Sequence, residues 1–211
     1  MKKYFLLAIL LFLSPLYAKD MHENKELDQK VMAFLNGDVQ WHDMNVPKSD
    51  GQLLYDLIIK GNYTRALEIG TSTGHSGIWI AWALSKTGGK LMTIDIDERR
   101  HNMAVQNFEK AGLSDYIDAR LADAHELVKE LDGPFDFVFS DADKEWYKQY
   151  FIDIDPKLEI NGCFTAHNIS MSSRVGGIRE FFDYVRSLSN YETTLNSRGG
   201  GVSISYKRAK M

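Results

Sequence analysis

Residues 66–77 read ALEIGTSTGHSG. The apolar run Ala66–Ile69 breaks at Gly70, Gly74 follows four residues later, and a helical pattern begins behind it. A strand that ends on a glycine and turns at once into a helix is the corner of a parallel α/β sheet, where ligands collect beyond the strand ends. A loop for a dinucleotide pyrophosphate wants G-x-G-x-x-G. Here the middle glycine is missing, which counts against a nicotinamide-dependent oxidoreductase and favours a ligand without phosphate.

Working outward, apolar runs recur as KLMTIDID from Lys90, YIDARLAD from Tyr116, FDFVFSDAD from Phe135 and GCFTAHN from Gly162. Helical periodicity separates them at Ser76–Ser85, Glu98–Ala111, Ala124–Leu131 and Trp146–Leu158, and a last helix is expected at Ile178–Leu188. This alternation predicts a doubly wound, Rossmann-like α/β sheet, mostly parallel, with both faces covered. YETTL and VSISYKR, joined through NSRGGG, predict a C-terminal antiparallel hairpin at one edge. Upstream, Leu27, Val31, Phe34 and Leu35 share one helical face, as do Leu53, Leu54, Leu57 and Ile58, with Ser49 or Asp50 as the expected cap of the second helix.

A chain of 211 residues with 44% hydrophobic content and a net charge of −4 can bury one good-sized core, and no basic stretch points to nucleic acid. Residues 1–18 join MKK to an apolar run that ends at Ala18 and read as a cleavable export signal. The expectation is therefore a mature domain over 19–211 in the periplasm, with no stable membrane insertion once the signal is cut. Cys163 is the single cysteine, so no intrachain disulfide can form.

Each expected strand ends in polar groups: Glu68 and Gly70, then Asp95, Asp123, Asp141, and finally His167 with Asn168. Apolar packing has no need of them all. An acid at the end of the second strand accepts hydrogen bonds from a ribose diol, and Asp123 is placed to accept from an exocyclic amine. Together they describe a site for an adenosine that carries something other than phosphate.

MNVPKSDGQ, LEIGTSTGHS, TIDID, DADKEWY and the HN pair after the fifth strand resemble the catechol and caffeoyl-CoA O-methyltransferase family, from about residue 44 to about residue 208. The resemblance implies a seven-stranded sheet and transfer of a methyl group from S-adenosyl-L-methionine to a hydroxyl, phenolic in the first instance, of a small acceptor. It implies that Val46, Glu68, Gly70, Ser76, Asp95 and Asp123 contact the cofactor. Ser72, Gly74, His75, Ile96, Ala124 and Asp141 join that set as their neighbours. Asp141, His167 and Asn168 match the family's divalent-metal ligands, for Mg2+ or Mn2+, and Lys144 matches its general base. A homodimer is compatible with the resemblance.

Elementary chemistry agrees with those residue types. A phenol near pKa 10 must move about 3 units to be half ionised at neutral pH, roughly 4 kcal/mol. A free lysine is almost wholly protonated there, so a lysine base needs a neighbouring cation to share the task. The chain departs from the family pattern at His167, where an aspartate is usual. An imidazole tilts the site toward Mn2+, Fe2+ or Zn2+; alternatively His167 only hydrogen-bonds, no metal binds, and it becomes the base itself.

Trp146, Tyr147 and Tyr150 could wall an acceptor, stack on adenine or pack in the core; Trp79 and Trp82 suit sheet packing. MSSRVGG after Ser170 reads as a flap over the acceptor, and Arg174 and Arg198 could meet an acidic substrate. SRGGGVS replaces a stretch where relatives carry an aspartate, so acceptor specificity does not transfer. The cofactor is made in the cytoplasm, so an exported chain leaves a second reading open: an inactive small-molecule-binding module on the same fold.

Overall fold

The computed structural model describes residues 22–37, 41, 44–170 and 176–210. The proposed export signal, Arg174 and most of the expected flap lie outside the described residues. Among the described residues no helix is long and apolar enough to cross a membrane.

The chain runs α1 (Lys25–Leu35), α2 (Lys48–Gly61), β1 (Arg65–Ile69), α3 (His75–Thr87), β2 (Lys90–Asp95), α4 (Glu98–Ala111) and β3 (Ile117–Leu121). It continues through α5 (Ala124–Glu130), β4 (Phe135–Ser140), α6 (Tyr147–Ile154), β5 (Leu158–His167), α7 (Gly176–Ser187), β6 (Tyr191–Asn196) and β7 (Val202–Lys207). One seven-stranded sheet has the order β3-β2-β1-β4-β5-β7-β6. The first five strands pair in parallel, and β7 is antiparallel to both β5 and β6. This is the doubly wound sheet with an edge hairpin that the alternation predicts.

Strand alternation sorts the core into two layers. Ala66, Phe137, Phe139 and Cys163 face α1–α4, while Leu67, Ile69, Val138 and Phe164 face α5–α7. Trp79 is buried against Gly51 of α2, and Trp82 donates to Asp28 of α1 at 2.7 Å, so both serve the packing of helices on the sheet. The first two strand connections cover one face and the next crosses to the other. The order therefore reverses between β1 and β4, which opens a crevice above their carboxyl ends.

Three local expectations are corrected. The helix expected through Leu158 stops at Ile154, where Pro156 offers no N–H and a 3-10 turn, Asp155–Lys157, leads into β5. β5 itself begins at Leu158, four residues before the expected run, with a register shift opposite Phe135–Phe137. Neither Ser49 nor Asp50 caps α2: the helix starts at Lys48 behind Pro47 with no side-chain cap. Asp50 is instead buried, and its carboxylate points across to β5.

A buried ionic knot ties the edge hairpin to the sheet. Lys207 Nζ lies 3.0 Å from Asp155 Oδ1 and donates to the Leu158 carbonyl at 3.2 Å, while the Tyr191 hydroxyl donates to the same carboxylate. Asp155 and Lys207 are each 4% exposed. Asp155→Ala is expected to cost about 3–5 kcal/mol, since it strands an ammonium out of water. Urea unfolding checks it, and a loss under about 1 kcal/mol, the worth of a surface pair, would show the knot to be idle.

Candidate active site

A cavity of about 700 Å³ lies over the strand ends. Gly70 and Ser72 after β1, Asp95 and Ile96 at β2, and Asp123 and Ala124 after β3 line one end; Asp141, Lys144, His167 and Asn168 line the other. Five expected cofactor residues are not in its wall. Val46, Glu68, Gly74, His75 and Ser76 form the layer beneath, where they hold the loop in place.

The glycine loop takes its shape from the neighbouring strands. Gly70 has φ +102°, and a Cβ there would come within 2.9 Å of the Asp141 and Ala142 backbone, so only glycine lets β1 and β4 close at this height. Asp95 fixes the next residues: Oδ2 accepts from the Ser72 N–H at 2.7 Å and Oδ1 from the Asp97 N–H at 2.9 Å. His75 Nε2 accepts from the Trp79 indole at 3.3 Å, which leaves Nδ1 to donate to the Val46 carbonyl at 2.9 Å. Burial, only partly opposed by that last bond, keeps this imidazole below its ordinary pKa and neutral. The ring thereby straps the segment before α2 onto the loop.

Glu68 sits fully buried under the loop and accepts from Thr93 Oγ1 at 2.5 Å. Burial pushes its carboxyl up to about 8, against the opposing hydrogen bonds from Ser76 and Thr93. It is therefore protonated at neutral pH. The folded chain holds this proton between its ordinary value of 4.5 and about 8 while the unfolded chain has lost it. Stability must then fall as pH rises through that window, by up to about 1.4 kcal/mol per unit. Glu68→Gln, a neutral isostere, is expected to flatten this slope. Urea unfolding at the two ends of the window checks it, and parallel pH profiles for the two proteins would overturn it.

At the opposite end the side chains form a continuous polar chain. Lys144 Nζ lies 2.5 Å from Asp141 Oδ1; Asp141 Oδ2 lies 3.2 Å from His167 Nδ1; His167 Nε2 lies 2.8 Å from Asp50 Oδ2. The Tyr147 hydroxyl donates to the His167 carbonyl at 3.2 Å and lies 3.4 Å from Asp141 Oδ1. Burial lowers the proton affinity of His167, but the flanking Asp141 and Asp50 carboxylates outweigh it and hold the ring above its ordinary pKa.

The expected metal ligands Asp141, His167 and Asn168 do meet in one wall. His167 Nδ1 is buried and has no aligned hydrogen-bond partner, and its 3.2 Å spacing from Asp141 Oδ2 suits two donors of one cation, about 3 Å apart for bonds of about 2.1 Å. Among the described residues no three His, Cys, Asp or Glu side chains converge on one cation position. A third protein donor would be the Asn168 amide oxygen. His167 Nδ1 and Asp141 Oδ2 thus suit two donors of a borderline cation, with Asn168 in the same wall.

Sequence reasoning missed Asp50, which looked like a cap, and His125. The latter lines the cavity between Asp123 (3.4 Å) and Asp143 (3.5 Å) and stacks on Trp146 with ring centroids 3.9 Å apart. That contact covers a face of Trp146 that was open to an adenine in the sequence reading. Tyr147 is core, and Tyr150 is buried with an edge in the cavity.

The comparisons bear on this geometry. Residues 19–169 match a family model described as O-methyltransferase. A catechol O-methyltransferase of Niastella koreensis is 38% identical over 112 residues, 51% of this chain and 50% of that one. A caffeoyl-CoA O-methyltransferase of Eucalyptus globulus is 30% identical over 156 residues, 69% of this chain and 63% of the relative. The matched stretch thus spans between half and about two thirds of these relatives. Among solved structures, a Bacillus cereus O-methyltransferase in complex with SAH superposes with a TM-score of 0.70 at 26% identity, covering 89% of this chain and 92% of that chain. One from Streptomyces achromogenes in complex with SAM gives 0.69 at 25% identity, covering 90% and 92%. A seven-stranded sheet of this order, a Gly70-x-x-x-Gly74 loop above it and a family match over most of the sequence have one common explanation: the chain belongs to the O-methyltransferase family.

Proposed function

We propose that the chain methylates a hydroxyl of a small, phenolic acceptor, with S-adenosyl-L-methionine as donor. The observation that carries this reading is a cavity lined by the strand-end carboxylate Asp95 at one end and by the Lys144–Asp141–His167 chain at the other. The SAH- and SAM-bound relatives support it. The donor supplies an already activated methyl group, so the protein's work is alignment and ionisation of the acceptor oxygen.

The residues divide that work. Asp95 and the Ser72 N–H order the loop that receives the nucleoside, and Asp123 faces the same end. Asp141 holds Lys144 Nζ at the acceptor end, where Lys144 as the free amine takes the phenolic proton and the ammonium so formed stabilises the phenolate that receives the methyl group. When bound by Asp141, His167 and Asn168, a divalent cation would lower the acceptor's pKa and share that task. Tyr147 fixes the Asp141–His167 spacing from below. Thermal unfolding with S-adenosylhomocysteine tests the cofactor reading: at about 100 times its Kd it should add roughly 2.7 kcal/mol. A screen of catechols and other phenols, with and without Mg2+ or Mn2+ after chelation, tests the reaction. No stabilisation would remove the cofactor; stabilisation without turnover would leave a binding module.

A further inference from the structure

We propose that Asp50 is the positioning residue of His167: its carboxylate accepts the hydrogen bond of Nε2–H and so turns Nδ1 to the cavity beside Asp141, as a nitrogen donor for a borderline divalent cation. The inference rests on the proposed methyltransferase reading only for the place of that cation.

Asp50 and His167 are 1% and 4% exposed and lie 117 residues apart in sequence. Two ring nitrogens of one buried histidine have different surroundings. Nε2 meets Asp50 Oδ2 at 2.8 Å in a hydrogen bond, whereas Nδ1 faces the cavity wall with Asp141 Oδ2 at the longer distance of 3.2 Å. A ligating histidine characteristically gives its other N–H to a carboxylate, which sets the tautomer and the ring plane. Asp50 is itself held: the Gly200 N–H donates to Oδ2 at 2.7 Å, and Ser49 Oγ lies 3.3 Å from Oδ1.

The turn between β6 and β7 is shaped to this pair. Gly199 has φ +61°, and a Cβ on it would overlap the Asp50 carboxylate, while one on Gly200 would press on His167 Nε2. Gly199 and Gly200 therefore let the backbone close flush over the Asp50–His167 bond, while Gly201 lets it pass close to the Ile169 carbonyl. The departure at His167, the buried acid in α2 and the glycine turn are one structural unit.

Calorimetric titration of the chelator-treated protein with Co2+ and with Mg2+ tests this. The wild type should prefer Co2+, with an absorption spectrum that reports a nitrogen ligand, and Asp50→Asn should weaken Co2+ about 10–100-fold. The double change Asp50→Asn with His167→Asp should turn the preference toward Mg2+. Failure of the wild type to bind Co2+, or equal affinity in Asp50→Asn, overturns the proposal. Independently of any variant, 15N-histidine spectra of the Zn2+-loaded wild type should show Nε2 protonated; a proton on Nδ1 overturns it as well. Stabilisation by S-adenosylhomocysteine, measured on the same samples, reports fold and donor site separately. Its absence with the metal results intact would sink the methyltransferase reading and leave Asp50 in place.

Discussion

Asp141→Ala is expected to lower kcat by about 10²–10⁴-fold, the range for removal of a positioned proton-transfer or charge-stabilising group, with little change in the affinity for S-adenosylhomocysteine. The asymmetry follows from what the side chain touches. One carboxylate oxygen holds the Lys144 ammonium and lies near the Tyr147 hydroxyl, and the other lies against His167 Nδ1. Its truncation leaves the Lys144 ammonium and the Tyr147 hydroxyl without their common carboxylate oxygen, so Lys144 no longer keeps its place against an acceptor oxygen. The backbone at this position is independent of the side chain, since the Asp141 N–H donates to the Ile69 carbonyl at 2.8 Å. The β1–β4 junction under the loop is thereby retained. Steady-state kinetics at saturating donor, beside a calorimetric Kd, checks the pair of outcomes. A fall in cofactor affinity with kcat intact would mean that the reacting end of the cavity lies elsewhere.

How far the sequence alone led can be judged from particular residues. The alternation of apolar runs places every strand of the sheet, because strand–helix periodicity is a local signal that tertiary packing only reinforces. Boundaries failed where a single residue overrode the pattern: Pro156 cuts α6 short although the apolar spacing runs on. The strand-end acids were legible as a set, since five polar termini in a row have no packing purpose. Their partition was not. Glu68 and Asp95 both read as strand-end acids, yet Glu68 pairs with Thr93 within the sheet and is fully buried, whereas Asp95 stands two positions further along, in the cavity wall, and only the three-dimensional register decides that. Asp50 was the least legible. Near the start of an amphipathic helix an acid reads as a cap, and nothing within ten residues of it signals a partner on β5. The glycine run 199–201 was visible as a departure from the family pattern; its cause, close approach to the Asp50–His167 bond, needed the fold. Val46 and His75 carry their cofactor role by resemblance alone; the strap between them, from the segment before α2 to the loop, needed the fold.

Asp95→Ala is expected to act in the opposite sense, raising the Kd for S-adenosylmethionine and its demethylated product about 100-fold or more while kcat at saturating donor stays close to wild type. Two losses combine. A carboxylate that accepts from both hydroxyls of a ribose contributes about 1.5–3 kcal/mol per charged hydrogen bond, and each 1.4 kcal/mol is tenfold in Kd. The same carboxylate also accepts from the Ser72 and Asp97 N–H groups, so its removal loosens the loop and the start of α4 together. Asp95→Asn separates the two. The amide oxygen still accepts from one backbone N–H and keeps the shape, but the charge is gone, so an intermediate loss assigns the remainder to loop order. Calorimetry on both variants with the product, and kinetics with the donor in excess, measure the two quantities independently. If Asp95→Ala bound the product as tightly as the wild type, the nucleoside could not lie across the ends of β1–β3. The polar chain at Asp141 would then have to be reread as part of a different site, since its catalytic meaning depends on a methyl donor seated at the Asp95 end of the same cavity.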